Sequence, residues 1–401
     1  MFKEAFYIAG TGRPGPVLID IPMDVQKAVI DFEYPEKCEI RSYKPTTKGN
    51  YVQVRRVMAA LEEAEKPLIC IGGGVFAAHA ENEIRELADL MQIPVITTMM
   101  GISVFPDDDQ LFCGMIGTHG VKMANAAVNE CDVLFLVGAR VGDRAVKTPL
   151  ALEKTTKIIH IDIDPAEIGK NIGADLPLVG DAKLVLQQMT ELAKPMKHDE
   201  WIAHIKTLGG ERKYVEPAKG TVNPRVFIDR LAKKMPANVT VVADVGQNQI
   251  WTCTEYKFRK EGRLLTSGGM GTMGYSVPAA IGAKMADNSR ATVAICGDGA
   301  FQMSFMELAT AVQFGVDIKV VVMTNNRLGM VRELQTNGYH DRQTAVFLDG
   351  SPDFIKLAEA YGIPAMRVYD DDTMDKGVEM LAEHKGICLV EVVVDKDMPT
   401  L

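Results

Sequence analysis

The apolar run Ala291–Ile295 leads through Cys296 into Gly297-Asp298-Gly299, and the next apolar run ends on Thr324-Asn325-Asn326. In an open parallel sheet, ligands bind at the carboxyl ends of the strands. A strand, a covering helix and a neighbouring parallel strand take about 30 residues. That spacing sets the Asp298 carboxylate and the Asn326 amide side by side at one sheet edge. A carboxylate with an amide oxygen suits Mg²⁺, a hard cation that usually keeps phosphate oxygens among its ligands. Gly297 and Gly299 allow backbone to approach such phosphates closely. The following stretch FQMSFMELATAVQ reads as a helix with its N-terminus toward the anion. A plain turn explains Gly and Asp together, but not a second polar pair at this distance.

The elements that hold these residues follow from the pattern of the chain. Its 401 residues suggest two or three domains, and 47% hydrophobic composition supplies a core for each. A net charge of −9 argues against a general nucleic-acid binder. The seven cysteines form no C-x-x-C pair, which fits buried free thiols in a reducing cytoplasm better than zinc or a redox dithiol. The first residues, MFKEAFYIAG, are too short in apolar length and too charged for a secretory signal. No apolar run approaches the roughly 18 residues of a membrane span.

Residues 1–30 read as a short helix, a loop and a strand PVLIDIP (16–22), the remnant of a larger domain. The loop GTGRPG precedes a strand instead of following one, so it is not a dinucleotide fingerprint. Residues 31–50 read as a linker. From 51 to 190, helix-like and strand-like segments alternate, and unbroken strands such as PLICI and DVLFLV predict a parallel sheet covered on both faces. A charged connector spans 191–220. A second series fills 221–401, with strands in VTVVAD, ATVAICGD, IKVVVMTNN, GIPAMRVY and GICLVEVVVD. The expected fold is α/β, with two doubly wound parallel-sheet domains and an N-terminal remnant.

The G-D-G and N-N pair resembles the Mg²⁺–diphosphate motif of thiamine-diphosphate (ThDP) enzymes. GMIGTHG, HIDIDPAEIGKN, VVADVGQNQIW, SGGMGTMGYSVPAAIGA and NNRLGMVRELQ are similar to the catalytic large subunit of acetolactate synthase (acetohydroxyacid synthase) over essentially the whole chain. GMIGTHG with GTMGY favours it over another ThDP carboligase, decarboxylase or oxidase, which stays the alternative, together with a non-catalytic cofactor-binding fragment or one half of a split enzyme. The resemblance implies decarboxylating condensation of two pyruvates to 2-acetolactate, or of pyruvate with 2-oxobutyrate to 2-aceto-2-hydroxybutyrate, in branched-chain amino-acid biosynthesis. It implies a homodimer or homotetramer, a small regulatory subunit, and ThDP, Mg²⁺ and FAD as cofactors.

By this resemblance, Asp298, Asn326 and the Leu328 carbonyl hold Mg²⁺. Val245, Gly246, Gln247 and Asn248 form the loop that grips the diphosphate. Many relatives have His at the Asn248 position, and Asn keeps a donor without the ring. Gly271 and Met273 meet the aminopyrimidine and bend the cofactor. Gly297, Gly299, Ala300, Gly329 and Met330 line it. In the middle domain, Gly72, Gly73, Gly74, Thr98, Met99, Met115, His119, Gly120, Gly138, Ala139, Arg140, Arg144, Asp162, Asp181 and Ala182 match flavin positions. Gly142 stands where relatives often carry Asp. Leu334 replaces the tryptophan that narrows the second-substrate pocket. The glutamate that serves the family's proton relay belongs to the pyrimidine-binding domain and matches no residue here, so the chain alone is expected to turn over little.

Overall fold

The computed structural model describes residues 1–146, 148–210 and 214–401; residues 211–213 of the expected connector lie outside them. Two compact units result: Met1–Gly101 with Ala126–Ile205, and Ile102–Asn125 with Lys206–Leu401.

The first sheet is built from β1 (Pro67–Ile71), β2 (Val95–Thr97), β3 (Phe112–Met115), β4 (Val133–Val137), β5 (Lys157–Asp162) and β6 (Leu176–Val179), in the order β3-β2-β1-β4-β5-β6. The pairings from β2 through β1, β4 and β5 to β6 are parallel. β1 and β4 are buried along their whole length, which is why both appear in the sequence as unbroken apolar runs. The order reverses between β1 and β4, the topological switch point at which doubly wound sheets open a crevice.

The second sheet contains β7 (Val239–Ala243), β8 (Arg263–Thr266), β9 (Ala291–Gly297), β10 (Lys319–Thr324), β11 (Ala365–Val368) and β12 (Cys388–Val393), in the order β11-β12-β10-β9-β7-β8. All of its pairings are parallel. Its core joins Val242, Ala294, Cys296, Val320, Val322 and Leu389 of the strands to Val277, Ala280, Leu308, Ala311 and Phe354 of the covering helices. Helix ends are capped from the sequence: Asn223 accepts from Arg225 and Val226, and Asp370 forms a capping box with Thr373. The switch point here lies between β7 and β9. Strand β9 follows β8 in sequence but pairs on the far side of β7.

Two expectations are corrected. PVLIDIP forms no strand: helices Phe2–Gly10 and Met23–Lys27 flank it, neither buries a residue, and Leu18 is 88% exposed. An extended segment becomes a strand only when a neighbouring strand takes up its backbone groups; among the described residues none pairs with it, and the carbonyls of Ile21 and Pro22 accept from Gln26 of the following helix instead. The stretch after Asp298 is not one helix either. A turn at Asp298–Phe301 gives way to i→i+3 bonds from Met303 to Ala300 and from Ser304 to Phe301. Ser304, at φ −142°, then leaves helical space, and the helix resumes only at Leu308–Gln313.

Candidate functional site

Asp298 closes the carboxyl end of β9 and is 2% exposed. Its Oδ2 accepts the backbone N–H groups of Asn326 at 2.6 Å and Asn325 at 3.1 Å, and its Oδ1 accepts that of Gly299 at 2.8 Å. The end of β10 is thus folded directly onto this carboxylate, as the spacing required, but the contact is made by the backbone N–H groups of Asn325 and Asn326 and not by a side-chain amide. Burial pushes the Asp298 pKa up to about 6, against the downward pull of those hydrogen bonds. Asn326 is exposed and takes φ +54°, a left-handed conformation that asparagine tolerates better than most residues.

The loop after Asn326 is clipped in place. Leu348 N–H donates to Asn326 O at 3.0 Å, and Leu328 N–H donates to Val346 O at 2.9 Å. The Leu328 carbonyl accepts from Arg332 N–H at 2.9 Å and keeps its second lone pair. Leu328, Leu348 and Met273 converge on Gly299. A Cβ there would lie 2.9 Å, 3.1 Å and 3.3 Å from their side-chain carbons. Ala300 is buried, and Met330 is half-buried at the start of helix Gly329–Gly338.

Of the expected diphosphate loop only Val245 and Gly246 form a loop after β7; Gln247 and Asn248 open the helix Gln247–Glu255, with Gly246 at its N-cap. Gly246 adopts φ +132°, a conformation open to glycine alone. Gln247 is buried, and its Nε2 donates to Met398 O at 2.9 Å, Thr400 Oγ1 at 3.2 Å and Glu333 Oε2 at 3.3 Å. Its Oε1 accepts from Asn325 Nδ2 at 3.3 Å. Thr400 in turn donates through both N–H and hydroxyl to Glu333. Gly329 has no room for a side chain, since a Cβ would lie 1.9 Å from Gln247 Oε1.

One residue that the sequence reading passed over organises this edge. Asp244, fully buried at the end of β7, accepts N–H groups from Val245 at 3.0 Å, Gly274 at 3.0 Å and Ser276 at 2.8 Å. Burial raises its pKa. The carboxylate pins the turn that carries Gly271 (φ +66°) and Met273 to the strand end. The signal was available: VTVVAD, like ATVAICGD, is an apolar run that ends on aspartate.

The donor set fits the expected ligands. A buried carboxylate, with the exposed Asn326 and the spare lone pair of the Leu328 carbonyl on the loop that follows β10, suits a hard divalent cation, and a glycine-lined cradle suits a diphosphate.

Comparison with known proteins agrees. Residues 244–392 match the family described as thiamine pyrophosphate enzyme, C-terminal TPP binding domain, and residues 54–189 match thiamine pyrophosphate enzyme, central domain. The chain is 41% identical over 408 aligned residues to a probable acetolactate synthase large subunit of Methanocaldococcus jannaschii, covering 98% of this chain and 69% of the relative. It is 35% identical to the acetolactate synthase isozyme 3 large subunit of Escherichia coli K12, covering 98% of this chain and 71% of the relative. For the large subunit of Buchnera aphidicola the figures are 37%, 94% and 67%. The chain belongs to the acetolactate synthase large-subunit family.

In the first unit, the residues matched to the family's flavin positions divide by what their atoms already do. Gly72, Gly74 and Gly138 follow β1 and β4 at the switch point and pack backbone on backbone. A Cβ on Gly72 would sit 2.1 Å from Gly138 O, and one on Gly74 2.6 Å from Gly138 Cα, with Gly138 at φ +56°. Gly73 faces Met100, and Thr98 N–H donates to Ile71 O. The helix after them, Gly74–Ala77, is a single turn, too short for an N-terminal anion site. Met99 is half-buried, and Ala139 is buried. Arg140 and Arg144 are exposed cations beside them. Asp162 accepts from Asp164 N–H at 2.9 Å, and burial raises its pKa. Asp181 caps helix Ala182–Thr190 by accepting from Leu184 N–H at 3.1 Å, with Ala182 buried behind it. Met115, His119 and Gly120 lie on Ile102–Asn125, in the second unit; Met115 is buried, and His119 and Gly120 are half-buried. Leu334 is 62% exposed on helix Gly329–Gly338.

Alanine at Gly72 is expected to destabilise the first unit by about 3 kcal/mol, because the added methyl meets fixed backbone and not a movable side chain. Chemical denaturation of the variant checks this, and a midpoint matching the parent's would contradict it.

Proposed function

We propose that this chain binds Mg²⁺ and thiamine diphosphate at the β7–β9 edge and catalyses the decarboxylating condensation of 2-oxoacids. Pyruvate is the donor, and pyruvate or 2-oxobutyrate the acceptor. The observation that carries the reading is the folding of Asn325 and Asn326, after β10, onto the buried Asp298 carboxylate that ends β9, the strand flanking the switch point. Asp298, Asn326 and the Leu328 carbonyl would hold the cation. Val245, Gly246 and Gln247 would hold the diphosphate, with Gly271 and Met273 against the remainder of the cofactor. When bound, thiamine diphosphate supplies the electron sink that decarboxylation of a 2-oxoacid requires. The protein's part is to place charge and exclude water: Met273, Leu328 and Leu348 form an apolar wall beside Gly299. The exposed Leu334 leaves the acceptor pocket without an aromatic wall.

FAD at the β1–β4 switch point belongs to the same proposal, supported by the strand order and by Arg140 and Arg144 nearby. So do a homo-oligomer, a small regulatory subunit and a cytoplasmic location. Among the described residues, no helix is long and apolar enough to cross a membrane.

The test supplies ¹³C-pyruvate, ThDP, Mg²⁺ and FAD to the purified protein. The expected result is Mg²⁺–ThDP binding that is lost in Asp298→Ala, with little turnover by the chain alone and labelled 2-acetolactate as the main product of what is turned over. Acetaldehyde or acetate as the main product would overturn the synthase reading. So would the absence of product together with the absence of Mg²⁺–ThDP binding.

A further inference from the structure

Asn248 sits one residue beyond Gln247 in the expected diphosphate loop, yet its amide group is already engaged. The side chain is 3% exposed. Its Nδ2 donates to Asp244 O at 2.8 Å, at the end of β7, and to Ile295 O at 3.2 Å, inside β9. Backbone carbonyls only accept, so these two partners fix which end of the amide is nitrogen. The oxygen must therefore point the other way. A Cβ built on Gly246 would lie 2.8 Å from Asn248 Oδ1, and one on Gly297 3.5 Å from it. Both glycines belong to the cradle. The group presented there is thus an acceptor, which cannot donate to the oxygens of a diphosphate.

The two carbonyls belong to the two strands that flank the switch point. The backbone already joins the two strand ends there, Asp244 N–H donating to Ile295 O at 2.8 Å, and beyond that bond the chain leaves the two strands toward opposite faces. A side-chain amide that bonds to both holds them at a fixed separation, and with them Gly246 on one side and Gly297-Asp298 on the other.

We infer that Asn248 is a positioning residue that staples the carboxyl ends of β7 and β9 through its NH₂ group and makes no donor contact to the diphosphate. The consequence for the cofactor rests on the function proposed above. The staple itself is a property of the cofactor-free protein.

Two measurements test it. The first is hydrogen exchange of the Asn248 side-chain NH₂ by NMR, with the signal assigned from its loss in Asn248→Asp. Protection of at least ~100-fold relative to exposed asparagines is expected without cofactor and is retained on adding Mg²⁺ and thiamine diphosphate. Exchange at exposed rates in the cofactor-free protein, slowed only by the cofactor, would make Asn248 a diphosphate donor and end the proposal. The second compares Asn248→Ala with the parent. The unfolding midpoint of the second unit and the Mg²⁺–thiamine diphosphate affinity are expected to fall together, the affinity about tenfold or more, in line with the loss of an outer-shell partner. Lost affinity at an unchanged midpoint would indicate a direct grip, and a lowered midpoint at unchanged affinity a purely structural role; either overturns the inference. Should the parent not bind Mg²⁺–thiamine diphosphate at all, the proposed function fails, while the exchange measurement still decides the staple.

Discussion

Asp298→Ala is expected to lower the affinity for Mg²⁺–thiamine diphosphate by at least about 100-fold, the upper end of what outer-shell partners of a metal contribute. Three backbone N–H groups orient this carboxylate, and it is the buried anion that ends β9. Its pKa of about 6 in the cofactor-free protein makes the effect pH-dependent. A cation binds the ionised form, so affinity falls about tenfold for each unit below pH 6 and is flat above it. The stability of the cofactor-free protein runs the other way. The folded carboxyl holds its proton to higher pH than the unfolded one, whose reference value is 3.8. The folded state therefore binds more protons between those values, and stability falls as pH rises from about 4 to about 6. Titration calorimetry at several pH values measures the first effect, and denaturation across the same range the second. Asp298→Asn should flatten both curves; a parent protein whose Mg²⁺ affinity is level from pH 5 to 8 would contradict the assignment.

The second large effect is at Asp244. Alanine there leaves the N–H groups of Val245, Gly274 and Ser276 without their acceptor. Each unsatisfied buried donor costs about 1–3 kcal/mol, and a loss of about 3 kcal/mol or more in the second unit is expected after partial relaxation. Asparagine would be only a partial remedy, because Asp244→Asn turns an NH₂ toward a backbone N–H. Loosening should be local as well as global. The amides of Gly274 and Ser276 should exchange faster, and Met273 should lose its fixed approach to Gly299. Hydrogen exchange reads this directly, and parent-like protection of those two amides in Asp244→Ala would refute the bracing role.

The parts of this protein legible in its sequence are those that depend on neighbours along the chain. β1, β4, β7, β9 and β10 are buried on both faces and so are written as unbroken apolar runs. β3, β6 and β8 escaped notice because they are four residues long and only partly buried, with no continuous run to mark them. PVLIDIP erred the other way: it has the composition of a strand, but an apolar run does not supply its own hydrogen-bonding partner.

The same division holds in the site. Asp298 and Asn326 could be paired from spacing alone, because one strand-helix-strand crossover between neighbouring parallel strands converts sequence distance into adjacency. Nothing local shows that β7 lies against β9, a pairing that skips over β8. The Asp244 brace and the Asn248 staple both depend on that pairing or on the turn that returns to it. The interlocked glycines 72, 74 and 138 likewise depend on β1 lying beside β4. By itself, the sequence determined the fold class, the succession of elements and the carboxylate–amide pair at a strand end. Tertiary structure alone decided which donors were already spent, because a hydrogen bond is used up by whichever partner the strand order brings within reach.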